Sequence, residues 1–334
     1  MGDRLVFDVE LPNAREGVSV PVGFGSPANI AKIAVEAERL GYDALWTNDF
    51  ITPTPCYRIP DVGAPNWYEP IVTLAYCAAL TNRIGLGTAV LMAPFRDLVV
   101  LAKEVATLDQ FSNGRVLLGL GIGMCRDEYE AVRPRDQKTM RGKQLDEFIE
   151  SLNLLLARSE QPVSYAGKYI EFNDVRLDPK PVQRPLPIYV PGRAPEALER
   201  AARFDLGVMV RANSAAAQIE KLKPLAEAHR RDPASIDVIA ELELRLAPTR
   251  EKAVDQYRAS RQGKLRTDIR GMQLDQVIES NWIGTPDEVC EKISTLVGKG
   301  IYHFSLLNIA ADTMQERLEQ MEMFSEQVMR RYRT

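Results

Sequence analysis

The chain has 334 residues with a formal net charge of −4, and 45% of its residues are hydrophobic and 26% charged. This ordinary globular composition allows a large core and excludes disordered and fibrous classes. Acidic and basic residues are interspersed, without the basic stripe of a nucleic-acid-binding protein, and no stretch reaches the ~18 consecutive apolar residues of a membrane helix. The charge pattern and the missing apolar stretch lead us to expect no nucleic-acid or membrane partner. Because the first residues also lack a signal peptide's apolar segment, we expect a cytoplasmic protein.

Few residues suited to metal binding are present. The four cysteines are far apart in sequence: Cys56, Cys77, Cys125 and Cys290. Without CxxC spacing we expect reduced thiols and no metal site. His229 lies at a helix end beside basic residues and is expected to be solvated, whereas His303 lies in a strand. The sequence does not decide whether His303 faces into the fold.

Short aliphatic strands alternate with amphipathic helical segments along the chain. The predicted strands are 5–9, 43–47, 84–91, 116–120, 187–190, 206–210, 236–247 and 302–307. The helices between and after them are predicted at 28–40, 69–80, 98–111, 139–158, 195–204, 215–229, from about 249, at 285–297 and at 313–331. Eight such strand–helix units predict a parallel sheet closed into a (β/α)8 TIM barrel, α/β in class, which we expect to form one domain over residues 1–334.

Three stretches interrupt these units. Residues 51–67 follow strand 2, residues 163–184 are predicted to form a hairpin after helix 4, and residues 261–283 precede strand 8. Loops at the carboxyl ends of barrel strands build the active site, so the first stretch is a candidate substrate wall. The other two suit lids or oligomer contacts equally well.

Several segments at predicted strand ends carry a resemblance to a known family. They are 41–49 (GYDALWTND), 82–91 (NRIGLGTAVL), 102–109 (AKEVATLD), 112–123 (SNGRVLLGLGIG), 179–185 (PKPVQRP) and 191–194 (PGRA). In this order they resemble the bacterial-luciferase-like monooxygenase superfamily, especially its branch that uses the deazaflavin coenzyme F420. The resemblance implies a flavin-type oxidoreductase that acts on a small molecule, and a homodimer.

The resemblance also implies a cofactor site. A non-proline cis peptide between Ala89 and Val90 would back the flavin ring. Glycines at the end of strand 4, Gly121 and Gly123 among them, would let a flat ring approach the backbone closely. Residues 192–194, Gly192-Arg193-Ala194, precede a helix, and free N–H groups at a helix start together with an arginine suit the cofactor phosphate.

Two positions depart from the family pattern. Asp49 is expected to contact the cofactor and to act in catalysis, but Phe50 stands where the family usually has histidine, and a phenyl group cannot shuttle a proton. Met124 stands where many F420-dependent dehydrogenases have glutamate. A proton donor must then come from Asp49, Tyr57, Arg126, Asp127 or Glu128. The expected substrate-pocket residues are Phe50, Tyr57, Met124 and Arg126.

Three functions fit this sequence. The first is F420-dependent hydride transfer to or from a small organic substrate. The second is a monooxygenase that uses reduced FMN and O2 and depends on a separate flavin reductase. The third is a catalytically inactive barrel that still binds flavin.

Overall fold

A computed structural model describes residues 4–57, 65–136, 138–157, 159 and 161–333. Its strands are β1 Val6–Glu10, β2 Ala44–Thr47, β3 Gly85–Thr88, β4 Leu91–Met92, β5 Val116–Gly121, β6 Val163–Ala166, β7 Glu171–Val175, β8 Ile188–Pro191, β9 Gly207–Arg211, β10 Val238–Leu246, β11 Trp282–Gly284 and β12 His303–Ile309. Eight of them pair in parallel in the order β1, β2, β3, β5, β8, β9, β10 and β12, and β12 pairs again with β1. The TIM-barrel prediction is confirmed.

Helices connect the strands on the outside of the barrel. They are α1 Pro27–Leu40, α2 Pro70–Leu80, α3 Leu98–Phe111, α4 Arg126–Val132, α5 Arg141–Leu156, α6 Pro195–Phe204, α7 Ala212–Ala228, α8 Arg250–Ala259, α9 Arg261–Lys264, α10 Leu274–Ser280, α11 Pro286–Val297 and α12 Met314–Gln327. The last predicted residue of helix 139–158, Arg158, lies outside the described residues. Within those residues, no helix is both long and apolar enough to cross a membrane.

The alternation along β1 shows how side chains divide between the two sides of the barrel wall. Phe7 packs outside the barrel wall against Phe324 of α12, with ring centroids 5.5 Å apart. The neighbouring Asp8 points inward and accepts a hydrogen bond from Nε1 of Trp46 at 2.7 Å. Successive strand residues face opposite sides, so a strand of a closed barrel places every second side chain inside.

The middle of the barrel is filled by an apolar layer. Trp46 is fully buried and meets Tyr189 edge to face at 5.7 Å, and Met209 and Ile239 complete the cluster. A Cβ at Gly87 would lie 2.3 Å from the Trp46 ring, so glycine there admits the indole. This layer lies between the two ends of the barrel.

The three insertions adopt different structures. Residues 163–166 and 171–175 form the predicted antiparallel hairpin, β6 with β7. The segment 261–283 contains α9, a π-helical turn Leu265–Ile269, α10 and the start of β11, which pairs with Leu244–Leu246 at the carboxyl end of β10. It therefore returns to the end of the barrel where the strands finish. Of 51–67, the structure describes 51–57 and 65–67.

The two histidines have opposite environments. His229 ends α7 and pairs with Glu199 at 2.7 Å, with about a third of its side chain exposed, in line with the expected helix-end position. His303 begins β12, faces inward and is 7% exposed. The structure thus settles the orientation that the sequence leaves open.

Candidate cofactor and substrate site

Most residues predicted for the site follow the carboxyl ends of barrel strands. Asp49 and Phe50 follow β2, Ala89 and Val90 follow β3, and Gly121 ends β5. Gly123 comes two residues later, and Gly192, Arg193 and Ala194 follow β8. These ends surround one mouth of the barrel, the end at which TIM-barrel enzymes carry their active sites.

Asp49 is buried beneath the segment that follows β3. One of its carboxylate oxygens accepts a hydrogen bond from the Met92 backbone N–H at 2.8 Å, and Arg96 donates to the carboxylate at 3.0 Å. Burial raises the pKa of Asp49 to about 6, against the opposing effect of Arg96. Asp49 therefore anchors the turn into β4 and changes protonation state close to neutral pH.

The segment between β3 and β4 contains the expected cis peptide, Ala89–Val90. The neighbouring glycines of β5 fit against this segment. A Cβ at Gly119 would lie 1.9 Å from the Thr88 carbonyl oxygen, and one at Gly121 would lie 2.4 Å from Cγ2 of Val90. Glycine at these two positions therefore lets the segment 88–90 pack closely against β5, and the role of Gly121 beside the cofactor ring stays a prediction.

Gly123 occupies a backbone conformation that favours glycine. Its φ is +79°, and an added Cβ would meet Sδ of Met92 at 3.0 Å and the Phe95 ring at 3.2 Å. The glycine therefore shapes the turn from β5 into α4 beside the mouth.

The first turn of α6 has one free backbone donor among the described residues, the Glu196 N–H, because Pro195 has no N–H and the Ala197 N–H donates to the Ala194 carbonyl at 3.0 Å. Ala194 is the N-cap residue and offers no side-chain hydrogen bond to the first turn. Arg193 is exposed, and among the described residues no hydrogen bond or ion pair of its side chain is observed. Gly192 is buried, and a Cβ there would lie 2.9 Å from Cγ1 of Val210. An uncapped helix start beside an unpaired arginine is an anion-binding arrangement.

An aromatic cluster lines the mouth next to Asp49. The Phe50 ring lies 4.7 Å from that of Tyr57 and 5.2 Å from that of Trp67, and Phe50 is half-buried. The Arg15 guanidinium stands 5.9 Å from the Phe50 ring centroid. An apolar wall and a cation thus occupy the position at which the family pattern places an imidazole.

Glu128 binds the loop after β2 through hydrogen bonds. Its side chain is fully buried and accepts hydrogen bonds from the Ile51 N–H at 2.7 Å, the Thr52 N–H at 3.2 Å and the Tyr57 hydroxyl. Burial is the largest and the hydrogen bond to Glu128 the second largest of the effects that raise the pKa of Tyr57 above its usual range. Glu128 and Tyr57 bind each other, so their first role is structural.

The expectation of four reduced cysteines is wrong. Cys56 and Cys125 form a disulfide with a sequence separation of 69, and Asp127 accepts a further hydrogen bond from the Cys56 N–H at 3.2 Å. Cys77 and Cys290 are free. The pairing joins the loop after β2 to the start of α4, which follows β5, and β2 and β5 lie on either side of β3 in the sheet.

Met124 and Arg126 lie further out. Met124 is 62% exposed, and Arg126 forms an exposed ion pair with Glu130 at 2.7 Å. Met124 lies between β5 and α4, and Arg126 is the first residue of α4. Their assignment to the substrate pocket stays a prediction.

Sequence reasoning missed a cluster of arginines at the mouth. The cluster consists of Arg15, Arg211, Arg266 and Arg270. Arg266 donates to Glu243 at 2.6 Å, and Arg211 lies 3.9 Å from the same carboxylate. Desolvation, followed by repulsion from Arg266, Arg15 and Arg211, lowers the pKa of Arg270 to about 10. Arg270 therefore remains cationic at neutral pH.

The acids of this cluster only partly balance its arginines. Glu10 pairs with Arg15, Glu243 is fully buried, and Glu241 attracts Arg211. Burial raises the pKa of Glu10, and the attraction of Arg15 opposes the shift. The sequence holds one signal for this arrangement: Glu241, Glu243 and Arg245 alternate along β10, as inward-facing residues of a barrel strand do.

The fold and the position of the site define a TIM-barrel enzyme. Residues 10–303 match the family of luciferase-like monooxygenases, and the chain belongs to that family. The family resemblance and the prediction of an oxidoreductase are therefore confirmed.

Two curated proteins and one solved structure are similar to this chain. An F420-dependent glucose-6-phosphate dehydrogenase of Amycolatopsis mediterranei is 28% identical, with 92% of this chain and 95% of the relative covered. An FMNH2-dependent dimethylsulfone monooxygenase of Pseudomonas putida is 30% identical over 59% of this chain and 53% of its own. The structure of a monooxygenase from Streptomyces bottropensis superposes with a TM-score of 0.81 at 23% identity, covering 98% of this chain and all of that one.

Proposed function

We propose that the protein is an F420-dependent oxidoreductase that exchanges a hydride with a small organic substrate at the barrel mouth. The observation that carries the proposal is the uncapped start of α6 with the exposed Arg193, which suits the phosphate of such a cofactor. The relative that matches over nearly its whole length is named as F420-dependent, whereas the FMNH2-dependent relative matches over about half.

The residues at the mouth fit the cofactor. Arg193 and the Glu196 N–H at the start of α6 would hold the phosphate, and Ala89 and Val90 would support one face of the ring. When bound, the deazaflavin supplies the hydride chemistry. Phe50, Tyr57 and Trp67 would exclude water from one side. Asp49, with a pKa of about 6, is the group best suited to hold a proton near neutral pH.

The charge of the mouth favours an anionic substrate. The four arginines of the cluster outnumber the ionised acids beside them, and Arg15 stands next to Phe50, close to the expected position of the ring. Guanidinium groups bind phosphate and carboxylate with paired, charge-assisted hydrogen bonds. We therefore expect a phosphorylated or carboxylated substrate.

Parallel titration of the purified chain with F420 and with FMN, each oxidised and reduced, tests the cofactor. Quenching of tryptophan fluorescence reports binding, and turnover with hydride donors and acceptors is then measured with the bound cofactor. We expect saturable binding of F420 and weaker binding of FMN. Preference for reduced FMN would assign a monooxygenase with a separate reductase. Binding without turnover of any donor or acceptor would favour an inactive barrel, and no binding would reject all three functions.

The homodimer that the resemblance implies, the single domain and the cytoplasmic location stay predictions. Sedimentation of the purified protein tests the first.

A further inference from the structure

Three side chains of the kinds that bind metal ions meet beside the mouth, and the proposed function uses none of them. They are Cys56, Cys125 and Asp127, which we call the thiol–carboxylate cluster, and their ligand atoms all lie within 4.8 Å of one another. Cys56 belongs to the short helical turn Pro55–Tyr57 after β2, whereas Cys125 and Asp127 lie at the start of α4. Because 69 residues separate the two cysteines, sequence spacing does not reveal this cluster.

Hydrogen bonds hold these two segments together in addition to the Cys56–Cys125 disulfide. Asp127 accepts a hydrogen bond from the Cys56 N–H at 3.2 Å. Glu128, the next residue, accepts hydrogen bonds from two backbone N–H groups of the same loop and from the Tyr57 hydroxyl. The Cα atoms of the two cysteines lie 5.8 Å apart. Since none of these hydrogen bonds involves sulfur, reduction of the disulfide leaves the two thiols adjacent.

The thiol–carboxylate cluster is open to solvent on one side. Cys125 is 1% exposed, whereas Cys56 is exposed and Asp127 is half-buried. A small dithiol or a phosphine can therefore reach the disulfide at Cys56. Reduction gives two electrons and two protons to the sulfurs, breaks the bond between them and oxidises the reductant. The exposed side chain of Cys56 then has room to rotate away from Cys125 and admit an ion.

We propose that the reduced cluster binds one Zn2+ ion through the thiolates of Cys56 and Cys125 and the carboxylate of Asp127. Zinc takes four ligands, drawn from cysteine sulfur, histidine nitrogen, carboxylate oxygen and water. Tetrahedral Zn–S bonds of about 2.3 Å place two thiolates about 3.8 Å apart, which is compatible with the spacing of the cluster. Water completes the coordination on the exposed side.

The same cysteines make metal binding depend on their oxidation state. Each thiol releases its proton when it binds the ion. Exchange with a small disulfide restores the Cys56–Cys125 bond, reduces that disulfide to two thiols and releases the ion, because both sulfur ligands are lost. Tyr57 directly follows Cys56, and its ring lies 4.7 Å from that of Phe50, so either link holds the aromatic wall of the mouth. The site does not depend on the proposed function.

Titration of the full-length chain with Co2+ and then Zn2+ tests the proposal, because bonds between Co2+ and thiolate sulfur give charge-transfer absorption. One sample is reduced with a phosphine, which is removed by gel filtration without oxygen, and the other keeps its disulfide. The free thiols of Cys77 and Cys290 are present in both samples. We expect one Co2+ ion per reduced chain, its displacement by Zn2+, and no such absorption in the oxidised sample. Absence of the absorption from the reduced sample, or equal absorption in both, would overturn the proposal.

Variants locate the ion. In reduced protein, Cys125→Ser should abolish stoichiometric Co2+ binding, since one of the two thiolates is lost. Asp127→Asn keeps both cysteines and the size of the side chain, and should weaken Co2+ binding by about tenfold or more. It also keeps the test decisive if Cys125→Ser does not fold. Cys290→Ser replaces a free cysteine and should bind Co2+ as the wild type does. Unchanged Co2+ affinity in folded Cys125→Ser or Asp127→Asn protein would overturn the assignment to this cluster.

Discussion

Among the described residues, no acid forms an ion pair with Arg193, in contrast to Arg96 and Arg266. Arg96 forms ion pairs with Asp49 and Glu69, and Arg266 donates a hydrogen bond to Glu243. Carboxylates of the protein therefore already neutralise these two guanidinium groups. An unpaired guanidinium next to an uncapped helix start keeps its donors available for a ligand.

Replacement of Arg193 by alanine should weaken F420 binding by about 1.5 to 3 kcal/mol, roughly 10- to 100-fold, because a charge-assisted hydrogen bond to phosphate is lost. Fluorescence titration measures the change. Arg203→Ala, at the opposite end of the same helix and also exposed, is the matched control. Equal F420 affinity of the Arg193 variant and the control would reject the phosphate role.

Arg270 tests the preference for an anion. In protein saturated with F420, Arg270→Gln should reduce the affinity for inorganic phosphate by about tenfold, since one guanidinium partner is lost. Calorimetric titration gives the affinity, and Arg258→Gln on α8 provides an exposed arginine outside the cluster. If phosphate bound the two variants equally well, the arginine cluster would not be the anion site. A loss of F420 affinity instead would assign Arg270 to the cofactor.

His303 should make the stability of the protein depend on pH. Its pKa in the folded state, about 10, lies above the usual value of 6.5, so the folded state binds the proton more tightly than the unfolded state. The stabilisation is complete below pH 6.5 and is lost as the pH rises through 10.

In the wild type, the free energy of unfolding should fall by on the order of a few kcal/mol between pH 6.5 and 10 because of His303. His303→Gln should remove this part of the decline. Denaturant unfolding at several pH values measures the slope. His229→Gln changes the exposed histidine and should leave the slope as in the wild type. His303 lies between the carboxylates of Asp8 and Asp237. An unaltered slope in folded His303→Gln protein would show that the imidazole carries no charge between them.

At the scale of elements, the loop after β2 and helix α4 behave as one unit. Glu128 binds two backbone N–H groups and the Tyr57 hydroxyl, and the Cys56–Cys125 disulfide joins the same two segments. These contacts hold the aromatic wall of the mouth in place.

Glu128→Ala should lower the free energy of unfolding by about 2 to 5 kcal/mol, because buried donors lose their acceptor. It should also speed hydrogen exchange of residues 51–57. Glu130→Ala, on the same helix but exposed, removes only an ion pair with Arg126 and should cost less than about 1 kcal/mol. Similar losses in the two variants would contradict the anchoring role of Glu128.

Elements with strong local signals were predictable from sequence. Helix α6 has the predicted bounds, because Pro195 suits the first turn and Phe204 is followed by Asp205 in the left-handed conformation. The prediction of one strand over 84–91 was less accurate. β3 ends at Thr88, whose carbonyl oxygen packs against Gly119, and a separate strand, β4, begins at Leu91. That interruption depends on the neighbouring strand, which local propensity does not describe.

At the scale of the whole molecule, eight strand–helix repeats predicted the barrel, whereas the family resemblance pointed to Val90 and Arg193 as cofactor residues. The disulfide, the arginine cluster and the contacts of His303 with Asp8 and Asp237 were not predictable in this way. Asp8 and His303 are 295 residues apart in sequence and meet only because β12 closes the barrel against β1. Such pairs depend on closure and register, which strand periodicity leaves open.

The central claim is that F420 binds at the mouth with its phosphate at the start of α6. A crystal structure of the full-length chain with F420 tests it most directly. We expect the phosphate within hydrogen-bonding distance of Arg193 and the Glu196 N–H, and the ring against Ala89 and Val90. Density for F420 elsewhere on the protein, or a mouth free of cofactor at a saturating F420 concentration, would contradict the claim.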